Sequence, residues 1–292
     1  MTQTQNQPTF ARQRFLLEFV RQFNDGVAES DLQILAFLYL TRDNFRSYAF
    51  IPRFYAPYSF QLANDLEILR AKGFLSIDSV SGERRVQATG GPSRERLFEI
   101  DAERGQDLIR KACRRQAWSA LNRDFVADLA RGAKFDKIRR VKRELGKTEQ
   151  VLFTIGYEGK SVDEFINALI LNDVRLLIDV RRNPRSRKFG FSRDKIRIFI
   201  ETVGIGYAHL PELGVESDKR RSLKTPEDRQ ALLSDYKNSL QNNDESLKNI
   251  YELLKDNGRV ALACYELNPE MCHRSVIHDS LVCARNIKSQ DL

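Results

Sequence analysis

Apolar residues between positions 11 and 24 recur at three- and four-residue spacing, which sets Phe15, Leu16, Phe19, Val20 and Phe23 on one helical face. Asp25-Gly26 closes that helix, and a second begins near Ser30 and carries the run 31–40. The aromatic stretch 48–60 holds Pro52 and Pro57, which cannot lie inside a helix, so it is predicted to be an extended turn. Ser59 caps a third helix over 60–72, and Gly73 stops it. Residues 74–78 and 84–89 read as two short strands about a turn at Ser81-Gly82. Positions 102–147 read as helical, with Trp118, Leu121, Phe125, Leu129 and Phe135 forming a packing stripe. From residue 151 the pattern changes. Runs at 151–157, 174–180 and 260–265 are nearly continuously apolar, and 206–210 is a weaker one. Such runs suit strands covered on both faces of a parallel sheet. Ser161-Val-Asp-Glu164 is a capping box, and Thr225-Pro-Glu-Asp combines an N-cap, an early proline and first-turn acids.

Three segments follow from this pattern. Residues 1–100 have the order of a winged-helix-like, mainly α domain, three helices and then a two-stranded wing. Residues 101–148 form a basic helical connector. Residues 149–292 alternate strand and helix, the grammar of a Rossmann-like α/β domain with a parallel sheet.

Charge sharpens the division. Residues 110–147 carry thirteen Lys+Arg against four Asp+Glu, more than the whole net charge of +8. Arg114, Arg115, Arg139, Arg140 and Arg143 are the predicted nucleic-acid contacts, with DNA favoured. The third helix, by contrast, sets Asp65 and Glu67 against Arg70 and Lys72, a neutral balance that suits a DNA groove poorly. No apolar run is long enough to span a bilayer, and the N-terminus lacks the pattern of a signal peptide. Four cysteines in 292 residues suit free thiols in a reducing cytoplasm. A homodimer is left open.

In parallel α/β sheets the ligand sits beyond the carboxyl ends of the strands. Those ends carry Tyr157-Glu-Gly, Asp179-Val-Arg181-Arg182 with Ser186 and Arg187, His209-Leu-Pro-Glu212, and Cys264-Tyr-Glu266. Cys272-His273-Arg274-Ser opens the last helix. Tyr157, Arg181, Arg182, Ser186, Arg187, His209, Glu212 and Arg274 are the candidate ligand contacts, for a phosphate-bearing or nucleotide ligand. Asp179 and Glu266 are candidate acid–base groups, and equally candidate salt-bridge partners of strand-end arginines. Cys264, Cys272 and His273 are candidate thiol chemistry, Cys272 being favoured as thiolate at a helix N-terminus. The alternative is that both cysteines are structural.

These motifs also carry resemblances. Thr154-Ile-Gly-Tyr-Glu-Gly, Leu177-Ile-Asp-Val-Arg with Pro184, Gly190-Phe-Ser, Tyr207-Ala-His-Leu-Pro-Glu-Leu-Gly and Cys264-Tyr-Glu with Cys272-His-Arg-Ser resemble, in order, the domain of unknown function 488 family across 151–283. That resemblance implies a Rossmann-like domain with polar strand ends and leaves the activity unspecified. The run 48–62 with Asp65-Leu and Gly73-Phe-Leu resembles antitoxin-associated winged-helix domains, with Ala56 where those have glycine and Arg53 in place of tyrosine. The strand 177–181 and a cysteine before Arg274-Ser are similar to rhodanese-like sulfurtransferases, although the loop from Cys264 to Arg274 is far longer than theirs.

The functional expectation is a protein that acts on nucleic acid or nucleotides at the strand ends, recruited by the N-terminal segments. A non-catalytic sensor of a nucleotide or modified base and, third, a thiol enzyme are the alternatives. Gly156-Tyr-Glu-Gly159 is neither a P-loop nor a dinucleotide fingerprint, so no cofactor is predicted. A divalent metal is left open at Cys264, Cys272, His273 and His209, although no paired-cysteine zinc motif is present.

Overall fold

The computed structural model describes residues 7–42, 47–53, 56–93, 95, 97–115, 149–216, 225–240 and 244–292. The chain divides into two units, residues 1–142 and 143–292.

In the first unit, α1 (Ala11–Val20), α2 (Glu29–Arg42) and α3 (Phe60–Ala71) enclose a core in which Leu16, Phe19, Leu32, Phe37, Leu62 and Leu66 are fully buried. The Ser59 hydroxyl accepts the Leu62 N–H at 3.2 Å, and so starts α3 where the sequence predicts. Strands β4 (Leu75–Val80) and β5 (Glu83–Ala88) form an antiparallel hairpin whose other edge takes β1 (Val27–Ala28). The hairpin turn places both Ser81 and Gly82 at positive φ, as a tight two-residue turn between twisted strands demands. Helix α4 (Gly105–Arg115) packs Leu108 and Ala112 into the same core.

Two expectations change here. The proline-rich stretch is a small ribbon, β2 (Ile51–Arg53) against β3 (Ala56–Tyr58), with Pro52 opposite Pro57. A two-stranded ribbon leaves half of its backbone N–H positions facing outward, so paired prolines forfeit little. Asp65, counted from sequence as a surface charge of α3, is fully buried. Arg114 and Arg115 lie exposed at the end of α4, whereas Arg139, Arg140, Arg143 and the stripe from Trp118 to Phe135 lie outside the described residues.

In the second unit, five strands form one parallel sheet in the order β10 (Lys288–Asp291), β6 (Val151–Gly156), β9 (Arg259–Cys264), β7 (Leu176–Asp179), β8 (Gly206–His209). Helices α5 (Val162–Leu171) and α6 (Arg193–Glu201) connect strands in one direction along the sheet. Helices α7 (Pro226–Leu240), α8 (Asp244–Asn257) and α9 (His273–Arg285) connect them in the other. Because parallel crossovers are right-handed, the two sets cover opposite faces. The predicted capping box is present, the Ser161 hydroxyl and the Glu164 carboxylate each accepting the other's backbone N–H. Adjacent strands β6 and β9 send their connections opposite ways, and such a switch point opens a crevice at the carboxyl ends.

Candidate functional site

Strand alternation sorts the rim residues by face. Leu152, Ile178, Val180, Leu262 and Cys264 pack into the core beneath α8 and α9. Tyr157, Asp179, Arg181, Tyr207 and His209 fall on the opposite, α5–α6 face by the same period of two and the observed register. The candidate residues therefore share one end of the sheet but form two clusters, one on each face.

On the α5–α6 face, Arg181 is the hub. Its Nε and Nη2 donate to Asp179 Oδ1 and Oδ2 at 2.8 and 2.6 Å, and Nη1 donates to the Tyr157 hydroxyl at 3.0 Å and the Phe191 carbonyl at 2.9 Å. Tyr207 donates its O–H to Asp179 Oδ2 at 2.8 Å, and His209 Nε2 lies 2.8 Å from the Arg181 carbonyl. Tyr157 stacks on Phe191 with ring centroids 4.3 Å apart. Burial disfavours the Arg181 cation, but the hydrogen bonds and charge of Asp179 outweigh it and hold the guanidinium above its ordinary pKa. Burial and then the Asp179 charge raise the Tyr207 phenol. Of the two readings of Asp179, the geometry realises the salt bridge, since both carboxylate oxygens are engaged.

The same lattice corrects the reading of Arg181 as a ligand contact. Its side chain is 7% exposed and its three nitrogens are committed to protein acceptors. Its neighbours are different. Arg182, Arg185, Arg187 and Arg193 are exposed, and none has a carboxylate partner among the described residues. Arg182 donates to the Pro211 carbonyl at 3.3 Å. The Ser186 hydroxyl accepts the Lys188 N–H at 3.2 Å, so it shapes this loop, and Glu212 is exposed on the single turn after β8. Lys188 and Lys160 donate to the carbonyls of Tyr157 and Gly156, and burial lowers the pKa of both.

On the α9 face, Cys264 ends β9, Cys272 precedes α9 and His273 begins it. All three are buried. His273 Nε2 lies 3.1 Å from the Val180 carbonyl, and Nδ1 is 3.8 Å from Cys264 Sγ and 4.0 Å from Cys272 Sγ. Cys264 Sγ is 3.1 Å from Glu266 Oε2. A favoured, reachable thiolate at Cys272 is not what this geometry provides. The residue is 1% exposed, and burial first, then Cys264, push its thiol well above the ordinary range. Arg274 also departs from its predicted role as ligand contact. It is 0% exposed, and its guanidinium donates to the Glu266 and Leu267 carbonyls, where it holds the loop after β9.

Sequence reasoning missed several members of this rim. Tyr207 shares a strand face with His209 two residues on, so alternation alone pointed to it. Phe191 stands in the Gly190-Phe-Ser motif without being singled out as a site residue, and Lys188 carries no local signal; both reach the site because the loop folds back across the end of β7. Gly156 and Gly214 are close-approach positions. A Cβ on Gly156 would sit 1.8 Å from the Glu266 carbonyl oxygen, and one on Gly214 2.0 Å from the Arg182 nitrogen.

The second unit is thus an α/β fold with a polar carboxyl rim. Residues 161–281, most of that unit and including Asp179, Arg181, His209, Cys264 and Cys272-His273-Arg274, match the family model described as Domain of unknown function DUF488. No curated protein and no solved structure matches the chain. Among the described residues, no helix is long and apolar enough to cross a membrane.

Proposed function

We propose that this protein binds nucleic acid through phosphate contacts on the α5–α6 side of the carboxyl rim. The observation that carries the reading is the run of exposed arginines, Arg182, Arg185, Arg187 and Arg193, without carboxylate partners among the described residues. An arginine fork held at a protein surface suits phosphate oxygens, and releasing condensed counterions favours binding. The buried Asp179–Arg181–Tyr157 lattice fixes the root of the loop that presents these arginines. Tyr265, 44% exposed and edge-on to Tyr157, adds a ring on which a base can stack. The first unit serves as the recruiting module in this reading, its helices α1–α3 and β1–β5–β4 sheet taken as a winged helix. Exposed Arg114 and Arg115 give it positive charge at the end of α4.

Binding rather than catalysis is the function proposed, because Asp179 is saturated by partners and both candidate cysteines are buried. The test is fluorescence anisotropy with labelled single- and double-stranded oligonucleotides over a range of salt. Replacing Arg182, Arg185 and Arg187 together by Gln should reduce the slope of log K against log salt by about 0.7–0.9 for each lost phosphate contact. An unchanged affinity and slope in that variant would remove the proposal.

A further inference from the structure

We propose that Cys264, Cys272 and His273 are ligands of a buried structural zinc(II) site, with Glu266 as the fourth ligand. The inference stands on the α9-face cluster and does not rest on nucleic-acid binding. Each of the three residues offers a ligand atom, and these atoms all lie within 4.8 Å of one another. A tetrahedral zinc with bonds of about 2.3 Å to sulfur and about 2.0 Å to nitrogen or oxygen spaces those atoms about 3.5 Å apart. The observed separations are 3.8 and 4.0 Å from the two sulfurs to His273 Nδ1, and 3.1 Å from Cys264 Sγ to Glu266 Oε2. Shifts of up to about 1 Å would bring Cys264, Cys272 and His273 to that spacing, and the half-buried Glu266 side chain, which lies outside that group of three, would have to turn to complete the shell.

Orientation points the same way. The Val180 carbonyl can only accept, so His273 Nε2 carries the proton and Nδ1 presents its lone pair to both sulfurs. A metal-binding histidine is held in just this manner, its remote N–H fixed by a backbone carbonyl. Protons balance as well. Binding releases the two thiol protons to solvent, and two thiolates, one carboxylate and a neutral imidazole around zinc(II) leave one negative charge. The ion would bind the end of β9 to the start of α9. Through His273 and Val180 it would also hold the end of β7.

The experiment uses the full chain, reduced and stripped with chelator, then titrated with cobalt(II) as the spectroscopic stand-in for zinc. One equivalent should develop the visible bands of tetrahedral cobalt and a near-ultraviolet thiolate charge-transfer band, and zinc should bleach both. Cys264→Ser, Cys272→Ser and His273→Asn should lose the bands, whereas Cys113→Ser and Cys283→Ser should keep them. Glu266→Gln should keep the thiolate band with weaker affinity. Circular dichroism of each variant separates a lost ligand from a lost fold. Native mass spectrometry of the wild-type chain, purified without chelator, gives a readout that needs no variant. A folded, reduced wild-type chain without cobalt bands would overturn the site. So would bands that persist in Cys272→Ser, or a Cys264–Cys272 disulfide that forms in preference to metal binding in reducing buffer.

Discussion

Asp65 in the first unit and Asp179 in the second are each buried in a web of donors, and the two webs are built differently. In the first, Asp65 receives Arg12 Nε at 2.6 Å, Gln13 Nε2 at 2.9 Å and the Tyr48 hydroxyl at 2.9 Å. Its ion-pair partner Arg12 remains 31% exposed, so that cation is still solvated. In the second, Asp179 and Arg181 are both buried, with side chains 1% and 7% exposed, and neither charge has water to fall back on. The Asp65 web fastens α1 and the segment at Tyr48 to α3, an entirely internal task. The Asp179 web stands at a strand end and holds in place the loop that displays the exposed arginines. Burial of a carboxylate is thus common to both units, and what distinguishes the rim is that the partner cation is buried with it.

That contrast predicts the largest effect. Asp179→Asn leaves the Arg181 guanidinium buried without its counter-charge, which typically costs about 3–5 kcal/mol. Asp65→Asn leaves Arg12 free to turn to solvent, so the loss should be nearer the roughly 1–3 kcal/mol of an imperfectly paired buried group. Hydrogen exchange resolved by peptide separates the two, since the first should loosen amides of residues 151–180 and the second those of α1 and α3. Equal losses would show that exposure of the partner does not govern the cost.

A second, smaller effect tests how tightly the rim itself is fitted. Gly156→Ala drives a methyl into the Glu266 carbonyl, so the loop after β9 must move and release the grip of Arg274 upon it. Overpacking of this kind costs about 1–3 kcal/mol. Urea melts of the full chain measure it, and a variant as stable as the parent would mean that the loop yields freely.

Legibility from sequence followed the range of the forces involved. Caps and turns are local, so Ser59, Ser161 and the Ser81-Gly82 turn were readable where they stand. Continuous burial was readable too, and the apolar runs became parallel strands of an α/β fold. Strand-end position brought Tyr157, Asp179, Arg181 and His209 to notice, but it could not tell a displayed charge from a buried one. Asp65 and Arg181 were both taken for outward-facing groups, because burial of a charged side chain depends on partners far away in sequence, here Tyr48 for Asp65 and Tyr157 for Arg181. The division of the site between two faces was latent in the parity of positions 179 and 181 against 180 and 264. Only the order and register of the strands reveal it.

The smallest effect concerns the tyrosine that each web employs, and it carries a pH signature. Tyr207 and Tyr48 both donate to the buried carboxylate, and both phenols are raised above their ordinary value, by burial first and by the carboxylate second. Because the folded-state pKa lies above the unfolded one, the stability this proton confers is fully present below the unfolded value of about 10. It falls as pH rises beyond that point, since only the unfolded chain then gives up the proton, with a slope of up to about 1.4 kcal/mol per pH unit for each tyrosine. Tyr207→Phe should cost about 1 kcal/mol near neutral pH, the net worth of one hydrogen bond, because Arg181 still satisfies Asp179. It should also reduce the alkaline slope of the second unit by the share of one tyrosine, the raised Cys272 thiol and Tyr265 phenol supplying the rest, and leave that of the first unit intact. Tyr48→Phe should do the reverse. Exchange protection measured between pH 8 and 11 in the two variants reads both arms, and an alkaline slope unchanged in either unit would show that its tyrosine proton is not the group being titrated.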